Sequence, residues 1–266
     1  MKKLKKSIKK AEIGIIGGSH MENFLESFQK TRVGTPYGLP PIVYLGEISK
    51  RKVAFIPRHG PDHSIPPHLI NYRANIYALH MLGVKRIIAT NAVGAINPEL
   101  KPGELLTPHD FVDFTKHRKL TFYDSKVVHV DFSVPYCPEI RSALVESGKK
   151  VGTEILDKAI LVCTEGPRFE TPAEIEAFRR LGCDIVGMTG IPEAVLAREL
   201  GICYATLCYV SNMAAGMQKK ITPSEVGEVA SKIRPLMEQV LRETIRILPH
   251  ERNCPCKDAL KNAQFK

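Results

Sequence analysis

The chain has 266 residues, 44% of them hydrophobic and 25% charged, an ordinary balance for a globular protein with one large core. No apolar run reaches the roughly 18 residues of a membrane span, which speaks against a transmembrane role. The formal charge of +10 suggests nucleic acid at first, but six lysines crowd into residues 2–10 and aromatic residues are not interleaved with the basic ones.

That lysine-rich start lacks an apolar h-region and reads as a solvated tail rather than a secretory signal. Residues 11–17 then read as a short strand running into Gly17-Gly18-Ser19, a turn whose backbone N–H groups and hydroxyl suit an anion. Such a turn also has a purely structural reading. It lacks the ending of a Walker loop and the full dinucleotide fingerprint, so ATP and NAD are poor candidates. The spacing over 22–29 predicts a helix, and 42–45 and 53–56 predict two strands. The second strand opens into Arg58-His59-Gly60-Pro61-Asp62-His63, where the Arg58 fork can hold a doubly charged oxyanion. His59, His63 and His68 invite a metal reading, but their spacing matches no compact metal motif and no acidic pattern completes a shell.

A helix is expected over 72–82, then a strand over 84–90 opening into a loop, Asn91-Ala92-Val93-Gly94-Ala95. Residues 97–110, rich in Pro and Gly, read as a long ordered loop, and 127–132 as a strand carrying His129. Helices are expected over 137–149, 172–181, 192–200 and 223–248, with strands over 185–188 and 202–210. Strand–helix alternation with apolar central strands predicts a three-layer α/β fold without an internal repeat. Five cysteines (Cys137, Cys163, Cys183, Cys203, Cys208) sit in or beside apolar stretches and read as small buried residues of a reduced, cytoplasmic protein. Cys254-Pro255-Cys256 sits in a polar tail. It reads as a strained disulfide or as two free thiols, because a lone C-x-C pair lacks the further ligands of a closed zinc site.

Several polar residues fall at expected strand ends, where open α/β folds bind ligands. Gly18-Ser19, Arg58-His59, Asn91-Ala92 and Thr189 together offer N–H groups, hydroxyls and one fixed cation to a tetrahedral anion. Phe169 offers a ring to stack on a planar heterocycle, though a core phenylalanine reads the same way. Glu170 and Asn212 offer an acceptor and an amide to its edge. Glu170 also suits a helix N-terminus, and Asn212 a turn.

Over residues 11–248 the chain resembles the methylthioadenosine phosphorylases and the trimer-fold purine nucleoside phosphorylases. The resemblance rests on Gly-Gly-Ser, Arg-His-Gly-x-x-His, Asn-Ala-Val-Gly-Ala, Thr-Glu-Gly-Pro-Arg-Phe-Glu-Thr-Pro-Ala-Glu and Gly-Met-Thr-x-x-Pro-Glu, in that order. It implies a three-layer α/β/α fold with a twisted mixed central sheet, as one domain over 1–266 with a basic tail (1–10) and a C-terminal tail (249–266). It implies trimers or dimers of trimers, and phosphorolysis of an N-glycosidic bond with inorganic phosphate as co-substrate and no metal or other cofactor. By resemblance, Ser19, Arg58, His59, Ala92 and Thr189 hold phosphate, and Phe169, Glu170 and Asn212 hold the purine. Met188, His63, Pro223 and Val226 line the ribose and its 5′-substituent, and His129 reaches into the neighbouring subunit's site.

Methylthioadenosine phosphorylases resembling this chain carry Thr-Asp-Tyr-Asp where Ser211-Asn212-Met213-Ala214 stands here. Asn212 and Ala214 replace the two aspartates that serve adenine recognition, and the Glu170–Asn212 pair resembles that of the 6-oxopurine enzymes. The stretch 221–226 has no histidine for a 5′-hydroxyl, and Pro223 and Val226 fall where apolar residues line a methylthio pocket. The expected substrate is therefore S-methyl-5′-thioinosine. Methylthioadenosine, broader inosine/guanosine turnover, and a nucleoside-binding protein without turnover are the alternatives.

Overall fold

The computed structural model describes residues 10–18, 24–25, 27–39 and 41–264. In chain order the elements are β1 (Ile13–Gly17), β2 (Phe28–Arg32), β3 (Ile42–Ile48), β4 (Arg51–Pro57), α1 (Tyr72–Met81), β5 (Arg86–Ala95), β6 (Leu105–Leu106) and β7 (Asp110–Phe114). They continue with α2 (Pro138–Val151), β8 (Ile155–Leu156), β9 (Ile160–Thr164), α3 (Pro172–Arg180), β10 (Ile185–Gly187), α4 (Ile191–Glu199), β11 (Cys203–Met213) and α5 (Pro223–Ile247).

The strands form one mixed sheet in the order β2-β3-β4-β1-β5-β10-β9-β7, with β11 on the other side of β5 and β6 and β8 beyond it. β5 runs parallel to β1 and β11 and antiparallel to β10, so it is hydrogen-bonded on both sides. Successive residues of β1 point to opposite faces. Ile13 and Ile15 pack with Ile140 and Leu144 of α2 and Val240 and Leu241 of α5, while Ile16 packs with Ile76 and Leu79 of α1 and Leu196 of α4. The result is the expected three-layer α/β/α sandwich. Arg51 at the start of β4 fastens the far end of α5, giving hydrogen bonds to the Ile245 carbonyl (2.9 Å) and the Leu248 carbonyl (2.5 Å) while pairing with Glu12. Among the described residues no helix is long and apolar enough to cross a membrane.

The structure corrects several local expectations. Residues 91–95 are not a loop but the second half of β5. Their small side chains resemble turn signals, yet β11 and β10 engage the backbone on both sides and hold it extended. Gly94 serves close approach there, since a Cβ would stand 3.2 Å from Asn212 Nδ2 and 3.2 Å from Val186 Cγ1. Phe28 and Gln29 belong to edge strand β2 rather than a helix, because pairing with β3 outweighs their helical spacing; residues 22, 23 and 26 of that expected helix lie outside the described residues. β7 and β9 lie outside the sequence expectation, and β6 falls inside the predicted 97–110 loop. Residues 127–132 form only an isolated bridge, Val128 to Gln264. That bridge, the His129 N–H bond to the Ala263 carbonyl (2.8 Å) and the burial of Cys254 and Cys256 dock the C-terminal segment onto the body, so it is not a free polar tail.

Candidate active site

A cavity of about 610 Å³ opens where β1, β4, β5, β10 and β11 end, roofed by the first half of α5. Arg58, His59 and His63, Ala92, Phe169 and Glu170, Met188 and Thr189, Asn212 and Ala214, and Pro223 and Val226 all line it, so sequence positions up to 168 residues apart meet around one cavity. Ser19 lies outside the described residues; its neighbour Gly18 lines the cavity. His129 is exposed and away from this cavity, and Cys254 and Cys256 are buried elsewhere in the fold with no bond between their sulfurs.

Arg58 follows β4 and is 3% exposed. Its Nε and Nη2 donate to the two carboxylate oxygens of Glu193 at 2.5 and 3.0 Å, and its Nη1 donates to the Thr90 carbonyl at 2.7 Å. Tyr204 of β11 also gives its hydroxyl proton to Glu193 Oε2 (2.8 Å). Burial works to discharge the guanidinium, but the Glu193 carboxylate overrides it and holds Arg58 above its ordinary pKa. The guanidinium is thus a permanent cation with fixed orientation and donor hydrogens to spare, since a guanidinium carries five N–H donors. Glu193 lies in the motif Gly-Met-Thr-x-x-Pro-Glu, but in sequence it reads as an ordinary acidic residue in the first turn of α4. Its role as the clamp on Arg58 emerges only from the fold.

His59 sits beside this cation. Its Nδ1 is 2.9 Å from the Ile65 carbonyl, which requires the proton on Nδ1 and leaves Nε2 as an acceptor in the neutral ring. Its ring stacks on His63 with centroids 4.2 Å apart. Burial, reinforced by the Arg58 charge, pushes the His59 imidazole down to about 4 against the opposing pull of that carbonyl. Burial also lowers His63. Across the cavity, Thr189 gives its hydroxyl proton to Asn91 Oδ1 (2.9 Å), and Asn91 in turn donates to Thr206 (2.7 Å). Gly190, the N-cap of α4, has φ 94°, and a Cβ there would meet Asn91 Nδ2 at 2.9 Å, so only glycine lets the helix start against this chain of polar groups.

Phe169 and Glu170 reach the cavity from the loop before α3. A network of Glu165, Arg118 and Tyr72 sets the path of the 165–170 loop: Glu165 accepts from the Lys116 N–H (2.7 Å) and Arg118 Nε (3.2 Å), and Arg118 Nη1 reaches the Tyr72 hydroxyl (2.6 Å). Thr171 and Glu174 then form a reciprocal capping box with Pro172 in the first turn of α3. The cap is thereby complete without Glu170, whose carboxylate accepts from the Thr164 hydroxyl (2.6 Å) at the cavity wall. Burial raises the Glu170 pKa against that hydrogen bond. Phe169 is 38% exposed with its ring on the cavity, unlike a core phenylalanine.

A β-bulge between Val210 and Asn212 shifts the register of β11 and aims its last residues into the cavity. Asn212 Nδ2 donates to the Met213 carbonyl (2.9 Å), while its Oδ1 lies 2.6 Å from the Ser211 hydroxyl. The carbonyl selects the Nδ2 end, which leaves one amide hydrogen for a ligand. From α5, Pro223, Val226, Ala230 and Met237 form an apolar wall, joined by Ile221 and by a residue that sequence reasoning missed, Arg234. No local motif marks Arg234; which turn of a 25-residue helix faces the site is a matter of packing.

The cavity thus holds a fixed guanidinium, a neutral imidazole and several polar side chains at the strand ends of an open α/β sheet, where such folds bind ligands. The chain belongs to the phosphorylase superfamily, whose model matches residues 12–246. It is 52% identical over 263 residues to a probable 6-oxopurine nucleoside phosphorylase of Korarchaeum cryptofilum, covering 93% of this chain and 97% of that one. It is 51% identical over 255 residues to a probable S-methyl-5′-thioinosine phosphorylase of Methanopyrus kandleri, covering 95% and 99%. Among solved structures, a methylthioadenosine phosphorylase from an antarctic soil metagenomic library superposes with a TM-score of 0.91 at 35% identity, covering 97% of this chain and 93% of that one. The chain is an enzyme of the nucleoside phosphorylase class, and inorganic phosphate is its co-substrate.

The His59 environment sets a pH dependence of stability. Its folded pKa, about 4, lies below the unfolded value of about 6.5, so the unfolded chain takes up the proton first. This contribution is intact above about pH 6.5 and is lost as pH falls toward about pH 4, by about 3 kcal/mol in all. Denaturant unfolding in phosphate-free buffer should show His59→Asn losing less stability than the parent over that window. Equal slopes for the two proteins would contradict the assignment.

Proposed function

We propose that this enzyme cleaves the N-glycosidic bond of a 6-oxopurine nucleoside, S-methyl-5′-thioinosine foremost, giving hypoxanthine and 5-methylthioribose 1-phosphate. The observation that carries this reading is the amide of Asn212, held with one hydrogen free, on the same cavity as the Glu170 carboxylate. A 6-oxopurine presents an acceptor at O6 and a hydrogen at N1, which match Asn212 and Glu170; adenine presents the reverse. Each missing or reversed buried bond costs about 1–3 kcal/mol, or roughly 5- to 150-fold in rate. Ala214, 1% exposed, has only a methyl group and no acceptor to meet an amino group. The names of the relatives from Korarchaeum and Methanopyrus agree with this branch.

In the proposed reaction phosphate lies against Arg58, His59, Ala92 and Thr189, with Ser19 as a further donor. Neutral His59 keeps Nδ1–H on the Ile65 carbonyl and offers Nε2 to a phosphate proton, so it positions the nucleophile rather than adding charge. One phosphate oxygen forms a bond to C1′ as the C1′–N9 bond breaks. The electron pair of that bond passes to the purine, where the Asn212 donor meets charge gathering at O6; the leaving purine takes a proton from water, balanced by the proton that the hydrogen phosphate gives up on becoming the sugar phosphate. The phosphate charge stabilises the ribosyl cation as it develops. Met188 lies under the ribose, Phe169 stacks on the base, and Pro223 and Val226 cover the 5′-methylthio group, whose burial an apolar wall favours.

Arg234 supports a second reading, because it brings donors to the wall that faces the 5′ end. With it, the 5′-hydroxyl of inosine or guanosine finds a partner, and specificity broadens across 6-oxopurine nucleosides. The assembly proposed is a trimer or a dimer of trimers, with His129 completing a neighbour's site. His129 is exposed, and Val127 nearby is 62% exposed, as a surface covered by another copy would be in an isolated chain.

Phosphate-dependent release of free base from methylthioinosine, methylthioadenosine and inosine, measured side by side, separates the readings. Methylthioinosine should give the highest kcat/KM, inosine within about tenfold of it would carry the broader reading, and methylthioadenosine as best substrate would overturn both. Asn212→Asp should lower kcat/KM for methylthioinosine by roughly 5- to 150-fold; an unchanged value would defeat the assignment of Asn212. Sedimentation coupled to activity should find the turnover in the oligomer, and a fully active monomer would count against a shared site.

A further inference from the structure

Four of the seven cysteines meet at the end of the sheet remote from the cavity. Cys137 is the N-cap residue of α2, Cys203 opens β11, and Cys254 and Cys256 flank Pro255 at a short 3-10 turn. Their four sulfurs all lie within 4.8 Å of one another, and all four residues are at most 5% exposed. The Cys203 and Cys254 sulfurs are 3.3 Å apart. At about 3.3 Å per strand residue, β11 separates Cys203 from Ser211 by roughly 26 Å, so the cluster takes no part in the chemistry of the cavity.

Zinc bonds to thiolate sulfurs at about 2.3 Å, which sets the edges of a tetrahedral site at about 3.8 Å. The observed spacing brackets that value. A disulfide uses sulfurs two at a time, whereas here each sulfur is within reach of the other three. Cys137 sits at the N-terminus of a 14-residue helix, and Arg252 Nη1 faces the Cys203 sulfur at 3.9 Å, so a helix N-terminus and a cation both point at the cluster. Arg86, the register partner of Cys203 on β5, is 1% exposed, and its Nε has no hydrogen-bond partner among the described residues. The C-x-C pair taken alone lacks zinc ligands; Cys137 and Cys203 supply them through the fold.

We propose that Cys137, Cys203, Cys254 and Cys256 form a closed structural site for one zinc ion. Binding exchanges four S–H bonds for four Zn–S bonds and releases up to four protons, with no change of oxidation state. The ion staples the C-terminal segment to α2 and β11, a role separate from the chemistry of the cavity.

Metal analysis of the purified full chain, with zinc titrated into reduced, chelator-treated protein against a coloured chelator, tests this. One zinc per chain is expected, and cobalt in its place should show the strong visible absorption of a tetrahedral thiolate site. Cys254→Ser/Cys256→Ser should lose the metal and melt at a lower temperature. The single variant Cys256→Ser, assayed well below its melting temperature, should bind zinc more weakly yet keep the kcat/KM of the parent. Failure of the reduced protein to bind zinc would overturn the proposal. So would recovery of the four cysteines as two disulfides from unreduced, denatured protein, or zinc that persists in Cys254→Ser/Cys256→Ser.

Discussion

The buried ion pair between Arg58 and Glu193 is the constraint on which the site depends. Four elements converge on it: Arg58 follows β4, Glu193 lies in α4, the Thr90 carbonyl belongs to β5 and the Tyr204 hydroxyl to β11. Neither charge reaches water, with Arg58 3% and Glu193 0% exposed. Desolvating two ions is costly, and a pair of this kind is stabilising only when its hydrogen bonds are satisfied; removing one partner typically costs about 3–5 kcal/mol. The pair is thus less a source of stability than of geometry. It fixes one cation at the mouth of the sheet, where the strand ends leave backbone N–H groups for an anion.

The rest of the cavity follows from that placement. Burial and the Arg58 charge together keep His59 neutral, so the cavity holds one fixed cation beside an imidazole whose Nδ1–H is taken by the Ile65 carbonyl and whose Nε2 can accept. Some distance along the wall, the Glu165–Arg118–Tyr72 network and the Thr171–Glu174 capping box free Glu170 from structural duty. The bulge at Ser211 turns Asn212 inward. Arg58 is held by Glu193, His59 by the Ile65 carbonyl and Thr189 by Asn91, none of which lines the cavity, and such support restricts the donors and acceptors the cavity presents.

Much of this was legible in the sequence because the strand-end clusters are local. Arg58-His59 and Met188-Thr189 are adjacent pairs at the ends of apolar runs, and Phe169-Glu170 is an adjacent pair in the loop before α3; the topology brings them together. What escaped was whatever depends on pairing or packing between distant segments. Residues 91–95 carry the small residues of a loop but are held extended by strands on either side. Glu193 resembles any acid in a helical first turn, and Arg234 any charge on a long helix, until the fold shows what each faces. The cysteine cluster is the extreme case, since Cys137, Cys203 and Cys254 are far apart in sequence and meet only when the C-terminal segment docks.

If the Arg58–Glu193 pair holds the phosphate anchor, weakening it should injure phosphate binding selectively. The decisive measurement is KM for phosphate and for nucleoside in Glu193→Gln, with its folding checked by circular dichroism. Loss of a charged hydrogen-bond partner, worth about 1.5–3 kcal/mol, should raise the phosphate KM by roughly 10- to 150-fold and leave the nucleoside KM at saturating phosphate nearly unchanged. A folded Glu193→Gln enzyme with the parent's phosphate KM would contradict the account.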